Sequence, residues 1–181
     1  MKTLLHCCCA PCANMCIDTL RDEGQEVTGF WYNPNIHPVT EYRMRRNTLE
    51  TYAGMVKMPL VIVNEYALRP FVRAVAEDIA GRCVKCYEMR LDRVAQYAAE
   101  NGYDSFTSSL FISPYQKHEL MREVAEEVSE RYQIRFLYRD FRPLFRQGQD
   151  RARELGLYMQ KYCGCVFSEE ERYIKPKKLI P

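Results

Sequence analysis

No stretch of this 181-residue chain approaches the roughly 18–20 consecutive apolar residues that a helix needs to cross a bilayer, so no membrane-spanning helix is expected. The opening Met1-Lys2-Thr3-Leu4-Leu5-His6 runs straight into cysteines, without the apolar core or small-residue cleavage site of a secretory leader. That argues against a secreted disulfide scaffold and for a soluble cytoplasmic protein, whose reducing surroundings keep thiols available. An excess of charge of one sign is also missing. The formal net charge is only +2, too little for a uniformly basic nucleic-acid binder. Tyr42-Arg43-Met44-Arg45-Arg46, the stretch from Arg135 to Arg153, and Lys175-Pro176-Lys177-Lys178 remain as local phosphate-facing patches. Repeats, linkers and low-complexity segments are absent, and the length suits one domain, residues 1–181, with a full core.

Cysteine, by contrast, is abundant. The nine cysteines comprise Cys7, Cys8, Cys9 and Cys12 near the start, with Cys16 just beyond, Cys83 and Cys86 in the middle, and Cys163 and Cys165 near the end. A lone cysteine is commonly a small core hydrophobe, whereas several at short spacing offer thiolates to one metal centre. Three adjacent cysteines do not readily bridge one another. Structural zinc is the competing reading, since two pairs resemble a zinc ribbon. The triplet supplies too many ligands for it, and about 70 residues separate the pairs against roughly 15–20 in a ribbon. An iron-sulfur centre with a separate redox pair fits the inventory better. Gly164 gives Cys163-Gly164-Cys165 the turn freedom to form a strained, easily reduced disulfide.

Short apolar runs at Thr3–Leu5, Val27–Tyr32, Leu60–Val63, Ser105–Leu110 and Ile134–Tyr138 predict buried strands. Between them, three- and four-residue spacing predicts helices: Tyr42, Leu49, Tyr52, Ala53 and Val56 share one face, Tyr87, Leu91, Val94, Ala95 and Ala98 a second, Leu120, Val124 and Val128 a third. A further helix follows the first cysteines as far as about Glu23. Ser113-Pro114-Tyr115-Gln116 and Ser168–Glu171 both read as capped helix starts. The alternation predicts an α/β fold, a Rossmann-like three-layer arrangement with a mostly parallel sheet of about five strands covered by helices. Cys7–Cys12 then fall at the carboxyl end of the first strand, where open α/β sheets bind ligands.

The combination of Leu4-Leu5-His6-x-Cys8-Cys9-Ala10-Pro11-Cys12, Tyr32-Asn33-Pro34-Asn35-Ile36-His37-Pro38 with Glu41-Tyr42, and Arg82-Cys83-x-x-Cys86-Tyr87-x-x-Arg90-Leu91 resembles the cobalamin-independent epoxyqueuosine reductases, QueH. Ser108-Ser109-Leu110 before Ser113–Gln116, and Tyr162-Cys163-Gly164-Cys165-x-Phe167-Ser168, extend the resemblance over essentially the whole chain. It implies reductive removal of the epoxide oxygen from epoxyqueuosine in tRNA, the last step of queuosine biosynthesis. It also implies a 4Fe-4S cluster on Cys8, Cys9, Cys83 and Cys86 and a redox-active pair, Cys163 and Cys165. The partners it implies are tRNA modified in the anticodon region and an electron donor such as reduced ferredoxin or flavodoxin. Cys7 and Cys16 depart from the family pattern, so the ligand within the triplet stays open. Cys12 belongs to the motif without a settled role, and a second metal, an additional iron, is a candidate near it.

Opening an epoxide requires stabilisation of the departing oxygen by a metal or a proton donor. The candidates are Cys12, His6, His37, Glu41, Asp140 and Tyr115. Arg45 and Arg46, with His37 and Tyr115, are the candidate substrate-binding residues, and Arg43, Arg82 and Arg90 could extend that patch. Two other classes fit the same residues: an iron-sulfur electron carrier or redox sensor without its own substrate, and a zinc-stabilised tRNA-binding module.

Overall fold

The computed structural model describes residues 1–174; the basic run at 175–178 lies outside the described residues. The elements follow one another as β1 (Lys2–His6), α1 (Ala10–Asp22), β2 (Glu26–Trp31), α2 (Val39–Met55), β3 (Leu60–Ile62), α3 (Leu68–Val75), α4 (Arg82–Glu100), β4 (Ser105–Ser108), α5 (His118–Tyr132), β5 (Arg135–Phe136), α6 (Phe145–Glu154) and α7 (Val166–Tyr173). Short 3-10 turns occupy Ser109–Ile112 and Arg142–Leu144. All five expected strands are present, paired parallel throughout in the order β3-β2-β1-β4-β5. No helix among the described residues is long and apolar enough to cross a membrane.

Both faces of the sheet are covered, which is why β1 is buried from Thr3 to His6 and why β4 is fully buried despite its Ser-Phe-Thr-Ser sequence. The polar groups of β4 find partners across the ladder. Thr3 and Ser105 hydroxyls meet at 2.9 Å, and Ser108 meets His6 Nδ1 at 2.9 Å. One helical layer packs α1 against α2 and α6, the other α4 against α3 and α5. Gly148 lets α6 lie close to α1, because a Cβ there would stand 2.8 Å from Asn14 Oδ1.

The chain begins at the centre of the sheet, builds outward through β2 and β3, and then returns to place β4 and β5 on the other side of β1. Loops leaving β1 and β4 therefore diverge and open a crevice at their carboxyl ends. Cys7–Cys12 follow β1 there, and Ser109 follows β4.

Two predicted helix starts are corrected. Ser113–Gln116 forms a turn, closed by the Gln116 N–H to Ser113 O at 3.3 Å, and α5 begins only at His118. The Gln116 side chain does not reach back to cap, because its Oε1 accepts from the Tyr87 hydroxyl at 2.8 Å. Helix α7 begins at Val166 rather than after Ser168. Ser168 lies inside the first turn, where its hydroxyl accepts from the Gly164 N–H at 3.1 Å and donates to Cys165 O at 2.7 Å.

Candidate metal centre and its cavity

Both early cysteine groups sit at helix N-termini. Cys9 is the extended N-cap of α1, and Cys83 lies in the first turn of α4, whose N-cap is Gly81. Neither first turn contains an acidic residue, so the unpaired N–H groups favour anions such as thiolates. The Sγ atoms of Cys8, Cys9 and Cys12 lie within 4.8 Å of one another and are buried. The three thiols differ in their surroundings. Hydrogen bonds from Cys12 and Cys9, reinforced by Ser109, hold the Cys8 thiol well below the usual range against the opposing cost of burial. Cys9 is pushed up chiefly by burial and Cys12 chiefly by its bond to Cys8.

Cys7 and Cys16 take directions away from the triad. Cys7 turns inward and donates its S–H to Leu5 O at 3.3 Å, and Cys16 donates to Cys12 O at 3.3 Å. Burial raises both thiols, and both are packed within the core.

Cys83 and Cys86 stand outside the triad. Cys86 Sγ accepts from Arg90 Nη2 at 2.8 Å and from Asn35 Nδ2 at 3.2 Å. Arg90 is 2% exposed, donates Nε–H to Cys86 O at 3.1 Å, and has no carboxylate partner among the described residues. A buried guanidinium without an anion is costly. A metal-bound thiolate at Cys86 would supply that anion, so the donor set and its surroundings fit a thiolate-ligated centre.

Cys163 and Cys165 are free thiols. Cys163 is exposed, whereas Cys165 is buried with Cys86, Phe71 and Val75. Their turn is clamped from two sides. Arg45 donates to the carbonyls of Cys163 and Tyr162, both at 2.9 Å, and to Glu41 Oε1 at 2.7 Å. The His37 N–H donates to Gly164 O at 2.7 Å, His37 Nδ1 accepts from the Val166 N–H at 3.3 Å, and the Tyr162 hydroxyl donates to His37 O at 2.5 Å. Gly164 is at φ +148°, which L side chains rarely adopt, and a Cβ there would fit tightly at 3.2 Å from Ile36 and 3.3 Å from Arg45.

These contacts revise several expectations. Arg45 is 1% exposed, so it braces the cysteine turn instead of presenting a phosphate-facing surface. Arg46 bonds Asn64 and Asn47, and Arg82 pairs with Glu171 at 2.6 Å. Arg142 holds the Asp140 carboxyl down at about 2, so that side chain is an anion at neutral pH and has no proton to donate. Burial, aided by Arg90, pushes His6 down to about 4. Its Nε2–H donates to Tyr32 O at 3.1 Å, which makes it a satisfied core histidine.

A cavity of about 420 Å³ opens above the triad. Cys8, Cys12 and Cys163 all line it, which brings the first and last cysteine groups to one space. Gln160 donates to Cys12 Sγ and Gln116 to Cys163 Sγ, each at 3.3 Å. Tyr87 fixes Gln116 and also accepts the Lys117 N–H at 3.0 Å. Tyr115 lines the cavity; His37, Arg46 and Asp140 do not. Sequence reasoning missed Gln160, which no motif marks, and gave Ser109 and Asn35 no role although both lie in the motifs that carry the resemblance.

The family model for epoxyqueuosine reductase QueH matches residues 3–171. The chain belongs to this family. It is 39% identical over 175 residues to a Dehalococcoides mccartyi protein named epoxyqueuosine reductase QueH, covering 97% of this chain and 96% of that one. A Thermotoga maritima protein of the same name is 34% identical over 179 residues, covering 93% and 91%. Among solved structures, a predicted subunit of a tRNA methyltransferase from Methanocaldococcus jannaschii shares the fold, with a TM-score of 0.58 at 12% identity over 97% of this chain and 93% of that one. Cys7 and Cys16 are fully buried in the core.

Burial also pushes His37 down to about 4 from 6.5. The folded state then takes up this proton only below about 4, the unfolded state already below 6.5, so stability is lost as pH falls through that window. Urea midpoints measured from pH 7 to pH 4 should decline, and the decline should be smaller in His37→Gln, which cannot titrate there.

Proposed function

We propose that this chain reduces epoxyqueuosine to queuosine in tRNA as a single cytoplasmic iron-sulfur domain spanning residues 1–181. Family membership supports the substrate, and the observation carrying the chemistry is that Cys8, Cys12 and Cys163 line one cavity. Cys8, Cys9, Cys83 and Cys86 would hold a 4Fe-4S cluster, with space for an additional iron near Cys12. A cluster is wider than a single ion, so ligands from β1–α1 and from α4 need not crowd together as the triad does. Arg90 and Asn35, which donate to Cys86 Sγ, would offset the negative charge of that thiolate as a cluster ligand.

When bound, the cluster supplies electrons at a potential set by its hydrogen bonds and exposure. Turning an epoxide into an alkene consumes two electrons and two protons and releases water. Oxidation of Cys163 and Cys165 from dithiol to disulfide releases two electrons and two protons, which balances the reaction. Cys165 lies beside Cys86 and Cys163 lines the cavity, so the pair reaches from the cluster side to the substrate side. Reduced ferredoxin or flavodoxin would restore the dithiol. His37 and Arg45 act as positioning residues that fix this turn.

The test is mass spectrometry of nucleosides from epoxyqueuosine tRNA incubated anaerobically with iron-loaded protein and reductant. The parent should yield queuosine, and Cys163→Ser should retain its iron yet leave the epoxide intact. An iron-loaded parent that leaves epoxyqueuosine unchanged would overturn the reading.

A further inference from the structure

The chain carries little net charge, yet its cations are unevenly placed around the cavity. Among the described residues no carboxylate lines it, whereas Arg45, Arg153, Lys161 and Arg172 do. Arg45 is committed to Glu41 and the cysteine turn; the other three are exposed at the rim. Lys161 and Arg172 have no carboxylate partner among the described residues, and Arg153 pairs only with exposed Asp150. A second depression, between α1 and α6, is lined by Asp18, Asp22, Asp150 and Glu154 as well as Arg146 and Arg151. Its mixed charge gives no preference for an anion.

On the same rim Tyr115 is 82% exposed, unusual for an aromatic side chain that no core requires. Its position is nonetheless fixed. The Tyr115 N–H donates to Ser113 Oγ at 3.3 Å, and its ring packs edge-to-face with Phe145 at 5.8 Å and 83°. Inside, Gln160 Oε1 is buried without a hydrogen-bond partner, although its amide nitrogen is engaged by Cys12. An acceptor left open beside Cys12 in the cavity needs a donor from a ligand.

We propose that this rim is where the tRNA inserts its modified nucleoside: the base stacks on Tyr115, flanking phosphates meet Lys161, Arg172 and Arg153, and Gln160 accepts from a hydroxyl or amine of the base substituent. The proposal rests on the reductase reading above and adds how the substrate is held. Single-stranded and splayed-out bases are recognised by stacking on aromatic side chains, with cations tracking the backbone. A cavity of about 420 Å³ suits one substituted base within the usual range of roughly 300–1,000 Å³. The stacked geometry would direct the substituent inward to Cys8, Cys12 and Cys163.

Binding of epoxyqueuosine tRNA to the iron-loaded protein, measured by fluorescence anisotropy at several salt concentrations, tests it. Loss of one stacked base costs about 1–3 kcal/mol, so Tyr115→Ala should weaken binding roughly 5- to 150-fold with an unchanged salt slope. Tyr115→Phe should bind like the parent. Lys161→Glu combined with Arg172→Glu should weaken binding and flatten the slope, by about 0.7–0.9 for each phosphate contact removed. A parent that converts the tRNA, with Tyr115→Ala binding as tightly or the double reversal keeping the parental slope, overturns this inference alone. A parent that neither binds nor converts overturns the reductase reading with it.

Discussion

Cys83→Ser should lose its iron and sulfide and with them the visible charge-transfer absorption of the protein. Among the four proposed ligands Cys83 is the most discriminating to replace, because it is half-buried and outside the buried triad. A serine there removes one sulfur without emptying a core position. The metal would tie the turn after β1 to the start of α4, two segments far apart in sequence, so its loss also removes ligand-linked stability. A site saturated a thousandfold over its dissociation constant contributes about 4 kcal/mol, which for a chain of this size corresponds to a fall in Tm of roughly 10 °C. Iron and sulfide assays with thermal unfolding under anaerobic conditions measure both effects. Full iron content in Cys83→Ser would show that the ligand set is wrong.

Arg45→Met should be nearly as damaging by another route. Arg45 and Glu41 form a buried ion pair, with side chains 1% and 8% exposed, and Tyr158 donates to the second carboxylate oxygen. Removing one partner of such a pair costs about 3–5 kcal/mol, because the other is left charged in a dry place. Two carbonyls of the cysteine turn lose their donors as well. Denaturant unfolding should show that loss, and Glu41→Gln placed in the same chain should recover part of it. If Arg45→Met unfolds like the parent, the clamp on Cys163 and Cys165 is not what the contacts indicate. Arg45→Lys should fall between, since an ammonium cannot reproduce a fork that serves three acceptors at once.

The buried role of Arg45 was readable before any coordinates. It lies three residues after Tyr42 and four before Leu49, on the apolar stripe of α2, and four after Glu41, at salt-bridge spacing. Arg90 likewise falls between Tyr87 and Val94 on the buried stripe of α4. Weighing arginines by charge alone put both in a solvent-facing patch; weighing them by helical position removes them from it. Strands were legible because buried parallel strands are short apolar runs with clear punctuation. Helices α3 and α6 were not. Pro70 interrupts the pattern of Leu68–Val75, and Phe145–Glu154 is too polar to mark a face.

For the site, spacing identified the cysteine groups but could not show which thiols turn inward. Cys7 and Cys8 point to different surroundings because successive residues leaving a strand alternate in direction. Ser113–Gln116 imitates a helix cap in sequence, yet Tyr115 and Gln116 are held by Ser113, Phe145 and Tyr87. Gln160 reaches Cys12 from a segment with no motif of its own, and nothing in the motif around Ser109 shows that its hydroxyl reaches Cys8. Such groups are assembled only by the fold.

The most direct measurement is a single turnover without external reductant. Iron-loaded protein is reduced, freed of reductant under anaerobic conditions and mixed with epoxyqueuosine tRNA, after which nucleosides are quantified by mass spectrometry and Cys163 and Cys165 by differential alkylation. The account predicts queuosine formed in step with loss of alkylatable thiol at those two positions, and no queuosine from protein oxidised beforehand. Queuosine formed while both thiols stay fully alkylatable, or no queuosine from the reduced iron-loaded protein, would contradict it.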